Sequence, residues 1–412
     1  MKYGCIGEHL GHSFSKEIHA LLADYSYELV EVEKNNLDAF MRARDFRAIN
    51  VTIPYKESVI PYLDELSETA RKIGAVNTIV NKNGKLYGYN TDFFGMRELI
   101  LRVGIDACGK KALVLGSGGT SKTAEAVLYS LGAAHVFRVS RTPSDGLIDY
   151  NTATSVHSDS EIIVNTTPVG MYPNIDNCPI DLDVFSRLEG VVDAVYNPLR
   201  TKLVQSAQKK GVKASGGLYM LVAQAACACE LFIDTKISRE KTEEVFEKIY
   251  KNAENVVLVG MPGSGKTTVG KILAKKLSRA FYDSDEEIVK SENKEISEIF
   301  KERGENGFRD IESEQILKLS ALKNAVIATG GGAVLREENV DRLRRNGRIY
   351  FIDRPIEQII PTSDRPLSSD REALERRFFE RYPIYCSCSD VHVRSDGIAD
   401  GVAKRIEEDF LK

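Results

Sequence analysis

The chain contains no run approaching the roughly 18–20 consecutive apolar residues that a membrane-spanning helix needs. Its first residues, MKYGCIGEHLGHS, lack the apolar core of a secretory signal, so the expected location is the cytoplasm. Neither charge sign dominates: 56 basic residues face 60 acidic ones, for a formal net charge of −4. That balance gives no broad attraction to nucleic acid or to an anionic membrane surface. The six histidines form no H-E-x-x-H pattern. The seven cysteines show no disulfide-like clustering. Two close pairs, Cys227–Cys229 and Cys386–Cys388, lie far apart, and the first sits inside the apolar stretch LVAQAACACELFI. Both pairs read as buried thiols rather than metal ligands. No internal repeat, low-complexity tract or Gly/Ser-rich tether interrupts the chain.

At 412 residues the chain is too long for one core, so two or three domains are expected. Helical and strand-like segments alternate throughout, which implies α/β layers with mainly parallel sheets. Strands are predicted at Lys2–Ile6, Ala48–Thr52, Ala112–Leu115, His135–Val139, Ile162–Asn165 and Val191–Asp193. After Gly211 a long apolar helix is expected. The amphipathic SREKTEEVFEKIYKN follows, with Val245, Phe246, Ile249 and Tyr250 at helical spacing. A new strand begins at Asn255, which places the join between halves at Asn252–Glu254.

Two glycine-rich turns stand out, one in each half. The first, in KALVLGSGGTSKTAEAVLYSLG, is strand, turn, helix. Backbone amides of Gly116, Ser117, Gly118, Gly119, Thr120 and Ser121 are placed to meet a pyrophosphate at a helix N-terminus. The following strand ends in Ser140, Arg141 and Thr142 rather than in an acid. A guanidinium and two hydroxyls suit a 2′-phosphate, so NADP(H) is the expected cofactor. Lys122 offers a second cation close by.

Upstream, GHSFSKEIH spaces Ser13 and Ser15 two apart. On an extended segment, that puts both hydroxyls on one side, able to grip a carboxylate. Lys56 in NVTIPYKE and Asp92 in GYNTDFFG could form an acid/base pair for carbonyl reduction, since the oxygen needs a proton as hydride arrives. GAVNT contributes Asn77. Spacing alone does not bring these loops together. In order, however, GHSFSKEIH, NVTIPYKE, GAVNT, NTDFFG, GSGGTSK, SRT, NTTPVGM and GGLYMLVAQAA resemble the shikimate dehydrogenases, over about Met1–Tyr250. The resemblance implies NADPH-dependent reduction of 3-dehydroshikimate to shikimate. It also implies that Lys56 and Asp92 are the catalytic pair and that Ser13 and Ser15 bind the substrate carboxylate. Thr52, Asn77, Tyr196 and Gln224 would line the ring.

The second turn, GMPGSGKT at Gly260–Thr267, fits G-x-x-x-x-G-K-[ST] in full, between the strand VVLV and a helix. Amides of Gly263, Ser264, Gly265 and Thr268 would cradle phosphates of ATP. Lys266 would reach the β/γ oxygens and the Thr267 hydroxyl would ligate Mg²⁺. Beyond it come Asp283 and Asp285 in FYDSDEEI, Arg309 at an expected helix start, and the glycines of ATGGGAV. Arg365 in SDRPLSS and Arg381 in FFERYPIY complete the set. Arginines separated in sequence and joined by one acid suit a small anionic polyol. This order resembles shikimate kinase, over about Glu254–Lys412. The resemblance implies phosphoryl transfer from ATP to the 3-hydroxyl of shikimate. Asp285 would position that hydroxyl, Arg309 and Arg381 would take the carboxylate, and Gly331 and Gly332 would meet the ring. Asp283 would support Mg²⁺, and Arg365 would neutralise the moving charge.

The product of the first half is then the substrate of the second. The expected architecture is α/β: a substrate-binding domain over 1–100, completed by helices at 218–250; a Rossmann-like NADP domain over 101–217; and a P-loop kinase domain over 254–412. The expected function is two consecutive steps toward chorismate and the aromatic amino acids, with small-molecule substrates, no nucleic acid or membrane partner, and a homo-oligomer left open. The alternative is a quinate-type dehydrogenase joined to another small-metabolite kinase.

Overall fold

The structure, a computed structural model, describes residues 2–10, 14–144, 146–359 and 371–412, leaving aside the side chain of Ala373. The chain divides into two compact units, Met1–Ile249 and Tyr250–Lys412. The boundary falls inside the helix Arg239–Ala253, so Glu254 alone separates that helix from the next strand. This places the division slightly before the Asn252–Glu254 join expected from the pattern.

The first unit holds two sheets. One contains β1 (Tyr3–Gly7), β2 (Glu28–Glu31), β3 (Ala48–Val51), β4 (Glu65–Leu66), β5 (Thr78–Lys82) and β6 (Lys85–Tyr89), in the order β2-β1-β3-β5-β6-β4. It is mixed rather than parallel, because β5 pairs antiparallel with both β3 and β6. The hairpin turn is Asn83–Gly84, with φ of 54° and 85°. Those two left-handed residues match the twist of the flanking strands, a recognisable Asn-Gly hairpin signal.

The second sheet contains β7 (Lys111–Leu115), β8 (His135–Val139), β9 (Leu147–Ile148), β10 (Ile162–Asn165), β11 (Gly190–Asp193) and β12 (Lys213–Ser215). All its pairs are parallel and the order is β12-β11-β10-β7-β8-β9. Counted from β7, this is the 3-2-1-4-5-6 dinucleotide-binding order read from the other edge, with its switch point beside β7. Strands β10 and β11 are buried along their whole length, which is why they read as unbroken apolar runs.

Two helices tie the first unit together. The helix Thr91–Val103 starts with Asn90 as its cap, whose side chain accepts from Phe93 N at 3.1 Å. It packs closely on the apolar helix Leu218–Ile233 at Gly95. A Cβ there would lie 2.5 Å from the Met220 carbonyl oxygen, so only glycine permits this approach.

The second unit has one parallel sheet: β13 (Asn255–Val259), β14 (Ala280–Asp283), β15 (Ala325–Ala328), β16 (Gly347–Asp353) and β17 (Val391–Arg394), in the order β14-β15-β13-β16-β17. Apolar residues on both faces of β13, β15 and β16 form its cores. The crevice beyond the carboxyl ends of β13, β15 and β16 is therefore where a ligand belongs.

Candidate functional site

In the first unit a cavity of about 530 Å³ gathers residues from both sheets. Ser15, Thr52, Lys56, Asn77 and Asp92 line it from the side of the first sheet, and Thr120 and Tyr196 from the side of the second. Gln224 reaches it from the helix 218–233. Lys56 Nζ and Asp92 Oδ2 are 2.6 Å apart, both largely shielded from solvent. The pairing has a local cause: Asp92 occupies the first turn of its helix, and Lys56 lies in the turn leaving β3. A shielded ammonium–carboxylate pair facing a cavity can hold and deliver a proton.

The pair is backed by a buried polar network. Asn77 Oδ1 accepts from Thr91 N at 2.6 Å, and Asn77 Nδ2 donates to Thr91 Oγ1 at 3.0 Å. Thr91 Oγ1 and Asn77 Nδ2 both donate to Gln224 Oε1, at 3.3 and 3.4 Å. The close helix contact at Gly95 makes that connection possible. Sequence reasoning passed over Asn50 and Thr91. Asn50 lines the cavity, donates to Thr78 Oγ1 at 3.0 Å and accepts from Tyr27 OH at 2.7 Å. An Asn inside the apolar strand AINV was the available signal, because a buried amide must find partners. Burial raises the Tyr196 phenol above its ordinary value, so it is a neutral hydroxyl at this wall.

Ser15 reaches the cavity by a different route from the one expected. Phe14 is in the right-handed helical region and Ser15 opens the helix Ser15–Leu22, so the backbone at Phe14 and Ser15 is helical rather than extended. Ser15 presents its hydroxyl at a helix N-terminus, where a carboxylate is favoured. Ser13 lies outside the described residues.

The first glycine turn leaves β7 through Gly116, whose φ of 124° and closeness to Thr166 exclude a side chain. The helix Gly119–Ser130 follows, with Gly118 as its cap. No atom lies within 4 Å of where a Cβ on Gly118 would sit, so the turn offers an open backbone surface of the kind a pyrophosphate needs. Ser117 and Thr120 flank that surface. Ser121 turns away from it, since its fully buried hydroxyl donates to Gly118 O at 2.6 Å. At the end of β8, Arg141 and Thr142 are exposed, and Ser140 Oγ accepts from Thr142 N at 3.3 Å. Arg141 makes no ion pair among the described residues. Lys122, expected as a second cation, is instead paired with Glu57 at 2.8 Å.

In the second unit β13 runs into the P-loop, and the helix Lys266–Leu277 begins at its end. Lys266 is buried and donates to the carbonyls of Gly260 and Met261, each at 2.9 Å, which lays the ammonium along the loop. Gly263 and Gly265 take positive φ, and the buried Ser264 hydroxyl has no partner among the described residues. An unpartnered buried hydroxyl beside a helix N-terminus fits a phosphate cradle. Thr267 Oγ1 donates to Asp283 Oδ2 at 2.7 Å. Those two oxygens form a hard-oxygen corner of the kind Mg²⁺ accepts. Thr268 is the third residue of the helix.

Opposite, three elements converge. Asp285 lies in the first turn of the helix Ser284–Glu292. Arg309 lies on a helix assigned as Ile296–Ser320, but Gly304 breaks it (φ 68°, ψ −176°), so Arg309 is near the start of the second segment, as expected. Arg309 approaches Gly332 so closely that a Cβ there would be 2.3 Å from its guanidinium. Arg381, from the helix Arg371–Cys388, donates to Gly331 O at 3.3 Å, and the Tyr385 hydroxyl donates to the same oxygen. Both arginines are buried. Glu312, which sequence reasoning missed, accepts from Arg309 Nη1 at 2.7 Å and is itself buried. Burial raises its carboxyl above the usual range, with Arg309 pulling the other way. The i,i+3 spacing within GFRDIE was the signal. Arg365 lies outside the described residues.

Comparison with known proteins gives a consistent result. The family description "Shikimate dehydrogenase substrate binding domain" matches residues 5–79, and "Shikimate kinase" matches residues 262–410. A shikimate dehydrogenase (NADP(+)) of Clostridium beijerinckii is 36% identical over 267 residues, covering 60% of this chain and 99% of that protein. A chorismate mutase/shikimate 5-dehydrogenase fusion protein from Clostridium acetobutylicum superposes with a TM-score of 0.57 at 37% identity, over 60% of this chain and 96% of that one. The shikimate 5-dehydrogenase of Thermus thermophilus, solved in complex with NADP(H) and shikimate, gives a TM-score of 0.55 at 31% identity, over 60% of this chain and 99% of that one.

Proposed function

This chain belongs to the shikimate dehydrogenase family and carries a shikimate kinase domain, and from that premise we propose which residues run each of its two reactions. It is a bifunctional enzyme of the shikimate pathway, reducing 3-dehydroshikimate with NADPH and phosphorylating shikimate with ATP. The functional division follows the sheets: 1–100 with helices of 218–250 for the first substrate, 101–217 for NADP(H), and 254–412 for the kinase.

In the dehydrogenase, NADPH supplies the hydride. Lys56 gives the proton that the substrate oxygen needs as it becomes an alkoxide, and Asp92 holds the ammonium in place. Ser15, with Ser13, takes the carboxylate. Thr52, Asn77, Tyr196 and Gln224 orient the ring hydroxyls, with Asn77 and Gln224 fixed through Thr91. The backbone at Gly116–Ser121 meets the pyrophosphate, while Arg141, Ser140 and Thr142 select the 2′-phosphate. The observation that carries this half is the 2.6 Å Lys56–Asp92 pair opening on a cavity that Thr120 of the glycine turn also lines.

In the kinase, ATP with Mg²⁺ supplies the phosphoryl group. Gly263, Ser264, Gly265 and Thr268 cradle its phosphates, and Lys266 leaves its loop carbonyls for the β/γ oxygens. Thr267 and Asp283 hold the metal. Asp285 orients the shikimate 3-hydroxyl and takes its proton. Arg309 and Arg381 bind the carboxylate beside Gly331 and Gly332, and Arg365 balances charge during transfer. The protein works in the cytoplasm on these small molecules.

The test supplies 3-dehydroshikimate, NADPH and ATP–Mg²⁺ to the purified chain and follows NADPH absorbance together with shikimate 3-phosphate. Both signals are expected, in that order. Quinate turning over faster than shikimate in the reverse direction would favour the quinate-type reading.

A further inference from the structure

Arg354 is the first residue after β16, and β16 lies directly beside β13, with Val259 opposite Phe351. Its side chain therefore stands next to the P-loop that leaves β13. Arg354 Nη1 donates to the Gly263 carbonyl at 3.4 Å, a long and weak bond. Its Nε is buried and has no partner among the described residues. Among the described residues Arg354 makes no ion pair; the neighbouring acid, Asp353, instead accepts from Tyr382 OH at 3.1 Å. A guanidinium cannot shed its proton, so leaving its buried Nε–H unpaired is unfavourable, while the Nη groups at its exposed end stay available to a ligand. The arrangement makes sense if an anion completes it. The group that a P-loop cradles on its amide side is a polyphosphate, and the guanidinium fork matches phosphate oxygens in geometry and charge.

We propose that Arg354 is a nucleotide-binding residue of the kinase site, moving from the Gly263 carbonyl to a phosphate oxygen of bound ATP or ADP. This inference rests on the kinase reading given above. It adds a cation that the P-loop pattern does not contain, on the side of the loop opposite the shikimate arginines: β16 flanks β13 on one side, while β15, which leads into Gly330–Gly332, flanks it on the other.

The experiment titrates ADP–Mg²⁺, and separately adenosine, into the intact chain by calorimetry, for wild type, Arg354→Met, Arg354→Gln and Arg354→Lys. A charge-assisted hydrogen bond to phosphate implies ADP binding weakened about 10–100-fold in Arg354→Met. Arg354→Lys should recover most of it. Adenosine affinity, the KM for shikimate and dehydrogenase turnover should stay unchanged. Arg354→Gln can still donate to the Gly263 carbonyl but carries no charge, so it should behave like Arg354→Met. Wild-type ADP affinity in Arg354→Gln would make the residue a brace for the loop and overturn the proposal. So would equal losses of ADP and adenosine. A wild-type chain that bound no ADP would overturn the kinase reading itself, a failure distinct from that of Arg354.

Discussion

Lys56 Nζ sits 2.6 Å from Asp92 Oδ2, although the two residues are 36 positions apart in the sequence. The pair forms because a turn after β3 and the first turn of the helix 91–103 meet over one cavity. General acid catalysis of this kind contributes about 10²–10⁴-fold, so Lys56→Ala should lower dehydrogenase kcat by that factor. Phosphorylation of supplied shikimate should persist. Lys266→Ala should do the converse and abolish the kinase, because the β/γ charge loses its cation. Assaying each variant for both reactions decides the matter. A loss of kinase in Lys56→Ala equal to the loss of dehydrogenase would contradict two separate sites.

Arg141 should set cofactor preference. It is exposed at the end of β8 and free of ion pairs among the described residues, while Lys122 is engaged by Glu57. On the proposed reading the discrimination therefore rests on one guanidinium. Its charge-assisted bond is worth about 1.5–3 kcal/mol, so Arg141→Ala should raise the Kd for NADPH about 10–150-fold. NADH, lacking the 2′-phosphate, should bind almost as before. Fluorescence titration of both cofactors reads the difference, and equal weakening would give Arg141 a structural role only.

Gly95 links helix packing to the polar wall of the cavity. Its missing Cβ lets the helix 91–103 close on the helix 218–233, and that closure lets Thr91 and Asn77 reach Gln224. Gly95→Ala forces a Cβ against the Met220 carbonyl, an overpacking that costs about 1–3 kcal/mol. We expect a lower Tm for the dehydrogenase unit and a raised KM for shikimate, with kinase constants unchanged. An unaltered KM would show that Gln224 is positioned without this contact.

His19 should make the dehydrogenase unit acid-sensitive. It is fully buried, stacks on Tyr27 at 3.9 Å, and bonds the Tyr25 hydroxyl through Nδ1. Burial pushes its pKa down to about 3 from the usual 6.5. The folded state keeps it neutral while the unfolded chain protonates it. Its contribution is therefore fully present above about pH 6.5 and is lost progressively as pH falls toward about 3, amounting to a few kcal/mol. His19→Gln cannot take up that proton and can still bond Tyr25. It should flatten the pH dependence of the unfolding transition that tracks loss of dehydrogenase activity between pH 6.5 and 4. An unchanged slope would place the acid sensitivity elsewhere.

Much of the fold is legible in the sequence itself. Strands such as β10 and β11 are covered on both faces, so burial imposes unbroken apolar runs, and the boundaries at Ile162–Asn165 agree with the pattern. The two glycine turns were legible because glycine at Gly116, Gly263 and Gly265 answers a backbone demand for positive φ. What escaped was anything that depends on three-dimensional neighbours. Ser15 lies on a helix because Phe14 already adopts helical angles, which local spacing did not reveal. Ser121 fits the small-residue pattern yet spends its hydroxyl on Gly118 O. Asn50 and Glu312 carry their meaning in partners brought from other elements or from the next helical turn.

Arg309 is flanked by two acids that should act in opposite directions. Glu312 Oε2 accepts from Nη1 at 2.7 Å and is 1% exposed, whereas Glu305 Oε1 meets Nη2 at 3.4 Å and is 52% exposed. The buried acid fixes the guanidinium plane, and removing one partner of a buried pair typically costs about 3–5 kcal/mol. Glu312→Ala should therefore raise the KM for shikimate strongly and lower the Tm of the kinase unit. The exposed acid holds its arm weakly, worth about 0–1 kcal/mol, and on the proposed reading it competes with the substrate carboxylate for the same guanidinium nitrogen, Nη2. Glu305→Ala should accordingly leave stability unchanged and lower the KM for shikimate by up to about 5-fold, with the KM for ATP unaffected. Steady-state kinetics of the two variants at saturating ATP test the contrast. A rise in KM for shikimate in Glu305→Ala would mean that this acid helps to orient Arg309 rather than compete for it.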